Sequence, residues 1–409
     1  MKIIDGGVTA PKGFKAAGTR AGIKPGKTNK DMAMIYSEVP AAAAGTFTLN
    51  VVKAAPVLWD KKVVNEEKTA QAVVVNSGIA NACTGEVGYN DAMNMAAKTA
   101  EVLGIAREHV LVASTGVIGF TLPMEVVYAG IEKLGGMLSD NRESAIDAAT
   151  AILTTDTHKK EIAVEFDVDG VTCTMGGMCK GSGMIHPNMG TMLGFITTDA
   201  DIDQSLLDKA LKGAIEDTFN MVSVDGDTST NDTVVILANG IAGNAKVSDE
   251  ASAGYKSFVQ ALDEVCTYLA KQIAGDGEGA TRLFQVEVSN APDVKTAKIL
   301  AKSIVTSNLT KCAVYGKDAN WGRILCAMGY SGAQFDVDKV NITMSSEKGD
   351  IQLVKNGVAT AFSEELATEI LSPEVVIAKV DIRSGAACAT AYGCDLTYDY
   401  IKINADYRS

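Results

Sequence analysis

The sequence has few histidines, no closely paired cysteines and no excess of basic residues. Its 409 residues include 3 histidines, so we expect no metal site. The 8 cysteines form no C-x-x-C pair and lie mostly in apolar runs, which predicts free, buried thiols in a reducing compartment. The formal net charge is −13, and no cluster of Lys and Arg offsets it, which argues against a nucleic-acid partner.

The sequence also lacks a long apolar run. No stretch reaches the length of a membrane span, and the first residues, "MKIIDGGVTAPKGF", lack the apolar core of a secretory signal. We therefore expect a cytoplasmic protein with no membrane partner. What is present is ordinary for a globular protein: 47% hydrophobic and 21% charged residues, in a chain long enough for a large core and two lobes.

Segments typical of strands and helices are interspersed along the chain. Buried strands are predicted in "QAVVVNSG", "HVLVASTG", "TMLGFITTD" and "DTVVILANG", and a hairpin around "DVDG". Helices are predicted in "YKSFVQALDEVCTYLAKQIAG" and in "NDAMNMAAKTAEVLG", with Asn90 as N-cap and Gly104 at its end. The last stretch alternates like a strand up to about Asn404. This mixture predicts an α/β fold in layers.

The stretch "KGSGMIHPNMGTMLGF" places Gly190 directly before Thr191 at the start of a predicted strand. One interpretation is structural, because a loop commonly enters a buried strand in this way. The other is chemical: a threonine that becomes an N-terminus carries its own base, the α-amine. A small preceding residue admits attack of the threonine hydroxyl on its carbonyl, and β-branching restricts χ1 and so aims that hydroxyl. The two residues alone favour the structural interpretation.

Three polar stretches are further candidates. In "STGVIG", Thr115 and Gly116 follow a buried strand, where a hydroxyl and a backbone N–H can stabilise an oxyanion, although a simple turn is the commoner explanation. In "AGDGEGATRLF", Glu278 either pairs with a substrate ammonium or belongs to a solvated acidic loop. The stretch "SVDGDTSTNDT" is not an EF-hand, because Thr230 replaces the required glycine and Ile236 the bidentate glutamate.

Taken together and in order, eight stretches closely resemble the ornithine acetyltransferases of arginine biosynthesis, also called glutamate N-acetyltransferases, over essentially the whole chain. They are "VTAPKGFKAAG", "NSGIANACTG", "ASTGVIG", "TTDT", "KGSGMIHPNMGTML", "GDGEGATR", "DANWGRI" and "GCDLTYDYIKINADYRS". The resemblance implies an α/β layered sandwich, with two stacked β-sheets flanked by helices and a smaller α/β lobe. Such a fold superficially looks like that of the N-terminal-nucleophile hydrolases.

The resemblance also implies self-cleavage at Gly190–Thr191, giving an α chain of residues 1–190 and a β chain of residues 191–409. Thr191 would be the nucleophile, and Thr115 with Gly116 the oxyanion hole. The remaining family positions for substrate binding correspond to Thr154, Lys180, Glu278, Asn404 and Ser409. Thr155 or Thr157 takes the place of Thr154 if the register of "TTDT" is shifted.

The sequence departs from the family pattern at two positions. Gly190 stands where Ala is usual, and the smaller residue should not hinder the acyl shift. Ile79 stands where "NSGNANA" would have Asn, a position to which we assign no catalytic role.

The implied reaction moves the acetyl group of N2-acetyl-L-ornithine to Thr191 and then to L-glutamate, in a ping-pong scheme without a cofactor. The sequence leaves open whether acetyl-CoA is also a donor. The implied assembly is two or more αβ units. Two rival interpretations remain: a self-cleaving aminopeptidase or amidase on a related fold, and an uncleaved protein that binds amino-acid derivatives.

Overall fold

The computed structural model describes residues 1–24, 26–186 and 192–406. The strands in these ranges are β1 (Lys2–Ile4), β2 (Phe14–Thr19), β3 (Met32–Phe47), β4 (Thr69–Ile79), β5 (Val110–Val117), β6 (Lys160–Val168), β7 (Val171–Lys180), β8 (Leu193–Thr198), β9 (Val222–Ser223), β10 (Thr233–Ala238), β11 (Leu283–Ala291), β12 (Asn341–Ser346), β13 (Gly349–Lys355), β14 (Val358–Ala359), β15 (Val375–Asp381) and β16 (Ala387–Cys394). The α-helices are α1 (Ala55–Lys62), α2 (Gly85–Leu103), α3 (Met124–Gly135), α4 (Arg142–Ala151), α5 (Gln204–Asp217), α6 (Ala253–Gly275), α7 (Val294–Thr306), α8 (Asn308–Tyr315), α9 (Trp321–Gly329), α10 (Glu364–Ile370) and α11 (Tyr398–Asp406).

The first sheet has the strand order β1-β6-β7-β8-β10-β3-β4-β5, with β2 also paired to β3. Its β6–β7 hairpin turns at Asp169 and Gly170, both with positive φ, as the "DVDG" signal predicts. The pairs β4–β5 and β8–β10 are parallel. Both faces of the sheet are covered, because Val234 and Ile236 of β10 face one hydrophobic core and Val235 and Leu237 face another.

The second sheet has the order β14-β13-β12-β15-β11-β16-β9. Helix α6 lies between the sheets, because it packs against β6 and β7 of the first and β11 and β16 of the second. Helices α1 to α4 contribute to the core on the opposite face of the first sheet, and α7 covers β11 and β16. The predicted α/β fold, with two sheets in layers flanked by helices, is therefore confirmed.

Three local predictions are wrong. The segment around Asn404 is not a strand but helix α11, whose first turn is capped by Thr397: its Oγ1 accepts the Tyr400 N–H at 3.4 Å. Its alternating pattern is misleading, because no residue of α11 is buried and so burial does not select the period. Helix α2 begins at Gly85, so Asn90 lies inside it, whereas Gly104 ends it in the left-handed conformation as predicted.

The third concerns the cysteines. All are free, but four are exposed rather than buried, namely Cys83 in the loop before α2, Cys312 on α8, Cys326 on α9 and Cys388 on β16. In the described ranges, we find no helix with the length and apolar composition needed to cross a bilayer.

Candidate active site

A pocket forms where the parallel strands β4 and β5 end, with Gly78 paired to Gly116. Several residues singled out from the sequence line it together: Thr115, Gly116, Thr154, Lys180, Glu278 and Asn404. They come from separate segments of the chain, so only the fold brings them together. The pocket volume of about 280 Å³ is at the low end for ligand sites and suits an amino-acid derivative.

The two strand ends are locked together by backbone contacts that leave no room for side chains. Gly116 has a φ of +131°, and a Cβ at this position would lie 2.2 Å from the carbonyl carbon of Gly78. The Asn231 side-chain amide donates to the carbonyl oxygens of Ala80 at 2.6 Å and Ser114 at 2.8 Å. This clamp fixes the turn that presents Thr115 and Gly116 to the pocket.

Lys180 ends strand β7 and occupies the base of the pocket. Its Nζ donates to Thr115 Oγ1 at 3.4 Å and lies 4.0 Å from Asp156 Oδ2. Because Thr115 Oγ1 accepts from the lysine, its hydroxyl hydrogen is available to a ligand. Burial lowers the pKa of Lys180, and the nearby carboxylates of Asp156 and Glu278 oppose that shift.

Lys180 lies next to a network of buried charged side chains, formed by Asp156, Lys160 and Asp276. Asp156 Oδ1 accepts from Lys160 Nζ at 2.7 Å and from the Gly181 N–H at 2.8 Å. Lys160 Nζ also contacts Asp276 Oδ2 at 2.5 Å. Burial alone would raise the pKa of Asp156, but the charges of Lys180 and Lys160 and these hydrogen bonds hold it well below its usual range. Asp156 therefore stays ionised, as a buried negative charge next to Lys180.

Glu278 and Asn404 form another wall of the pocket. Asn404 Nδ2 donates to Glu278 Oε2 at 2.8 Å, which ties helix α11 to the site. Glu278 is buried, and a Cβ on Gly183 would lie 2.4 to 2.5 Å from its carboxylate atoms, so only glycine allows this approach. The pocket thus carries a cation at Lys180 and an anion at Glu278, an arrangement suited to a ligand with charges of both signs.

The structure separates the three threonines of "TTDT". Thr154 and Thr155 line the pocket. Thr157 instead donates its hydroxyl and its N–H to the Asp276 carboxylate. Thr157 is therefore part of the charge network rather than of the pocket wall.

Gly190, Thr191 and Ser409 lie outside the described residues. The residues on either side of 187–191 can be placed, because Ile185 precedes this segment, Met192 follows it, and both line the pocket. The incoming chain is held by Asp225, whose carboxylate accepts the N–H groups of Met184 and Ile185 at 2.7 and 2.9 Å. The stretch rejected as an EF-hand therefore anchors the chain that leads toward Gly190.

Some pocket residues were not predicted from the sequence. Asn231 and Asp232 line the pocket, and Asp156, Lys160 and Asp276 form the network below it. No role was predicted for these residues, because a single sequence does not show which charged side chains are buried together. Across the ranges that the structure describes, no group of His, Cys, Asp and Glu could hold a metal ion.

Comparisons with known proteins show the family of the chain. The ArgJ family model matches residues 15–409. The arginine biosynthesis bifunctional protein ArgJ of Caldanaerobacter subterraneus subsp. tengcongensis is 54% identical over 409 residues, covering 100% of both chains. Its counterpart in Symbiobacterium thermophilum is 52% identical over 410 residues, also covering 100% of both chains.

A crystal structure of the arginine biosynthesis bifunctional protein ArgJ from Bacillus halodurans also matches, with 47% sequence identity and a TM-score of 0.50. The match covers 52% of this chain and 98% of that one, so the solved chain corresponds to about half of this protein. The family model spans nearly the whole sequence, and the relatives match over their full length at this level of identity. These two findings establish the family. The chain belongs to the ArgJ family.

Proposed function

We propose that this acyltransferase moves the acetyl group of N2-acetyl-L-ornithine to L-glutamate, through an acetyl ester on Thr191. One observation carries the proposal: Thr115, Gly116, Lys180, Glu278 and Asn404 converge on a pocket that the chain borders on both sides of 187–191. The relatives' names place the family in arginine biosynthesis, in which ornithine is an intermediate.

In the first half-reaction, the Thr191 hydroxyl attacks the acetyl carbon, with its α-amine as the base. The Thr115 hydroxyl and the Gly116 N–H stabilise the oxyanion of the tetrahedral intermediate. Lys180, which donates to Thr115 Oγ1, keeps the hydroxyl hydrogen of Thr115 directed away from itself. The C–N bond breaks, ornithine leaves with the proton, and the ester remains.

In the second half-reaction, the glutamate amine attacks the acetyl ester and the hydroxyl of Thr191 is regenerated. Both substrates carry an α-carboxylate, and Lys180 provides a cation for this shared group. Glu278 suits the side-chain ammonium of ornithine and repels the side-chain carboxylate of glutamate. We therefore propose that Asn404, which lines the pocket, and Ser409 act with Lys180 in recognising the polar groups common to both substrates. We also propose that the pocket is open or hydrated enough to tolerate the acceptor.

The free α-amine of Thr191 requires cleavage of the Gly190–Thr191 bond, which we propose is autocatalytic. The products are an α chain of residues 1–190 and a β chain of residues 191–409, interleaved in one folded unit. Strand β8 of the β chain pairs with β7 of the α chain, which supports association after the cut. The length of the solved Bacillus halodurans chain is also that of one product of a cut near the middle.

Cleavage is tested by mass spectrometry and a denaturing gel of purified protein. We expect the wild type to give two fragments, the second starting Thr-Met-Leu-Gly, and Thr191→Ala to give one chain near 42.7 kDa without activity. Thr191→Ser is the matched control, because it keeps a hydroxyl and should still be cleaved. A Thr191→Ala protein that splits at the same bond would refute the proposal.

Transfer is tested by measuring ornithine release from acetylornithine with and without glutamate. A transferase requires the acceptor, whereas a related aminopeptidase or amidase releases ornithine to water without it. A single intact chain with no turnover would instead favour a binding protein. Sedimentation of the active protein tests the proposed assembly of two or more αβ units.

We also propose acetyl-CoA as a second donor, since the relatives are named bifunctional. An acetyl ester on Thr191 can be formed from any acetyl donor whose leaving group departs readily, and glutamate then takes the acetyl group in the same second half-reaction. Formation of acetylglutamate from acetyl-CoA and glutamate tests this donor directly.

A further inference from the structure

A second cavity adjoins the active-site pocket. It has a volume of about 890 Å³, and we call it the outer cavity; its defining residues are Lys24, Lys27, Ile79, Phe120, Val117 and Thr154. Val117 and Thr154 also line the active-site pocket. Val117 directly follows Gly116, so a ligand in the outer cavity can reach the proposed oxyanion hole with one end.

The outer cavity differs from the active-site pocket in size and charge. Its volume is about three times the 280 Å³ of the pocket, more than an amino-acid derivative needs. Its walls include Ile23, Ile79 and Leu122, and Phe120 on its rim is 51% exposed. Among its described lining residues, the charged ones are lysines, in a protein with a net charge of −13. A cationic, partly apolar cavity on an acidic protein selects an anionic ligand with an uncharged arm.

The part of the cavity wall that ends at Lys24 is held by hydrogen bonds. The buried Asp31 carboxylate accepts the backbone N–H groups of Ala21, Gly22, Ile23 and Lys24, at 2.6 to 3.2 Å. These hydrogen bonds fix the backbone of residues 21–24.

Lys24 itself is also fixed in place. Its Nζ donates to the Leu153 carbonyl oxygen at 2.7 Å, directly beside Thr154. A Cβ on Gly78 would lie 2.8 Å from Lys24 Cγ, so this glycine leaves room for the lysine stem. The wall at Lys24 therefore requires little reordering to bind a ligand.

We propose that the outer cavity binds an acyl donor of the coenzyme A type. Its phosphates lie against Lys24 and Lys27, its uncharged arm follows the apolar wall, and its thioester enters the active site past Val117 and Thr154. Acetylornithine and glutamate occupy the pocket between Lys180 and Glu278 instead. This inference rests on the proposed function, because the acetyl group must have Thr191 as its acceptor.

The transfer step balances without a further reactant. The Thr191 oxygen forms a bond to the acetyl carbon, the carbon–sulfur bond breaks, and the hydroxyl proton passes through the α-amine to the leaving thiolate. Glutamate then takes the acetyl group from the ester. Both donors thus meet at one nucleophile but approach it from different cavities.

The test separates the two donors kinetically. We expect Lys27→Glu to raise the KM for acetyl-CoA by about 5- to 10-fold, because it replaces an attraction to phosphate with a repulsion. The same variant should leave glutamate-dependent ornithine release within about twofold of the wild type. The effect on KM should shrink at high ionic strength, because Lys27 is exposed and its interactions are screened. Phe120→Ala, a neutral change on the same cavity, should raise this KM without the salt dependence.

Lys256→Glu is the matched control, because Lys256 is exposed on α6, is not part of the outer cavity and gives the same change in net charge. It should change neither reaction. Unaltered acetyl-CoA kinetics in both cavity variants, or an equal loss of both reactions, would overturn the inference. So would a wild type that transfers from acetylornithine but neither uses acetyl-CoA nor is inhibited by coenzyme A. If the wild type transfers from neither donor, the proposed function itself fails.

Discussion

Asp156 is the residue whose removal should reveal most about the site. Its carboxylate has two cationic partners, Lys160 at 2.7 Å and Lys180 at 4.0 Å, and the Asp156 and Lys160 side chains are fully buried. Substitution with Asn keeps the shape but leaves Lys160 with Asp276 as its remaining carboxylate partner and Lys180 with the more distant influence of Glu278. Breaking a buried pair in this way costs about 3–5 kcal/mol of unfolding free energy.

The same substitution should alter the titration of Lys180. At 4 Å, two unit charges interact by about 4 kcal/mol at an effective dielectric constant of about 20. Burial already lowers the pKa of Lys180, and Asp156 is the largest effect that opposes this shift. Asp156→Asn should therefore lower that pKa further, and the alkaline limb of the pH profile of kcat/KM should move to lower pH if the substrate carboxylate needs a cationic Lys180.

Denaturant unfolding near neutral pH measures the first effect, and ornithine release across the alkaline range measures the second. The pKa of Asp156 is held below its usual value in the folded protein, so its stabilising contribution is fully present at neutral pH and is lost only in strong acid. Asp208→Asn is the matched control: its pair with Lys212 has the same spacing in sequence but lies at the surface, with the Lys212 side chain 55% and the Asp208 side chain 29% exposed, so it should cost below about 1 kcal/mol. An Asp156→Asn protein with near-wild-type stability and an unmoved alkaline limb would refute this account of the network.

Three further predictions test other parts of the site. Gly116→Ala should cost about 1–3 kcal/mol in stability and lower turnover on the order of 10²–10³-fold, whereas Gly119→Ala, with a positive φ but open space for a Cβ, should keep most activity. Glu278→Gln should weaken use of acetylornithine more than precursor cleavage, and equal losses would indicate a structural role instead. Burial, and then the charge of Lys302, lowers the pKa of His186 from 6.5 to about 4, so the unfolded chain binds this proton first and stability is lost as the pH falls through that window. Relative to His186→Gln, acid denaturation curves should therefore show the wild type losing about 1–2 kcal/mol, after allowance for partial exposure.

The active site illustrates which signals a single sequence carries. Thr115 and Gly116 could be found, because a polar turn after a buried strand is a local pattern with a chemical meaning. Glu278 could be singled out as a charge on a glycine-rich turn, but only the family resemblance favoured a substrate role for it over a solvated loop. Lys180 gained its meaning from the resemblance alone, since its partners are far away in sequence. Asp156 and Asp276 lie in stretches that carry the resemblance, but no role could be assigned to them from the sequence. They are separated by more than a hundred residues, and their shared contact with Lys160 exists only in the folded structure.

The C-terminal segment shows the converse. Its alternating residues predict a strand, yet it is a helix with no buried residue, capped by Thr397 and joined to the pocket by Asn404. Periodicity predicts structure where burial selects one face of an element. On an exposed segment, capping and a single side-chain contact decide the conformation, and neither is visible in the pattern.

The sequence by itself determined the layered α/β class, most of the strands and helices, and the residue types available for chemistry, because burial imposes periods of two and 3.6 residues on the chain. Only the tertiary structure decided which polar groups share a pocket, which lysine is held by which carboxylate, and that a second, cationic cavity opens beside the first. Those outcomes depend on contacts between strand ends and loops far apart in sequence, where electrostatic and steric interactions act through space rather than along the chain.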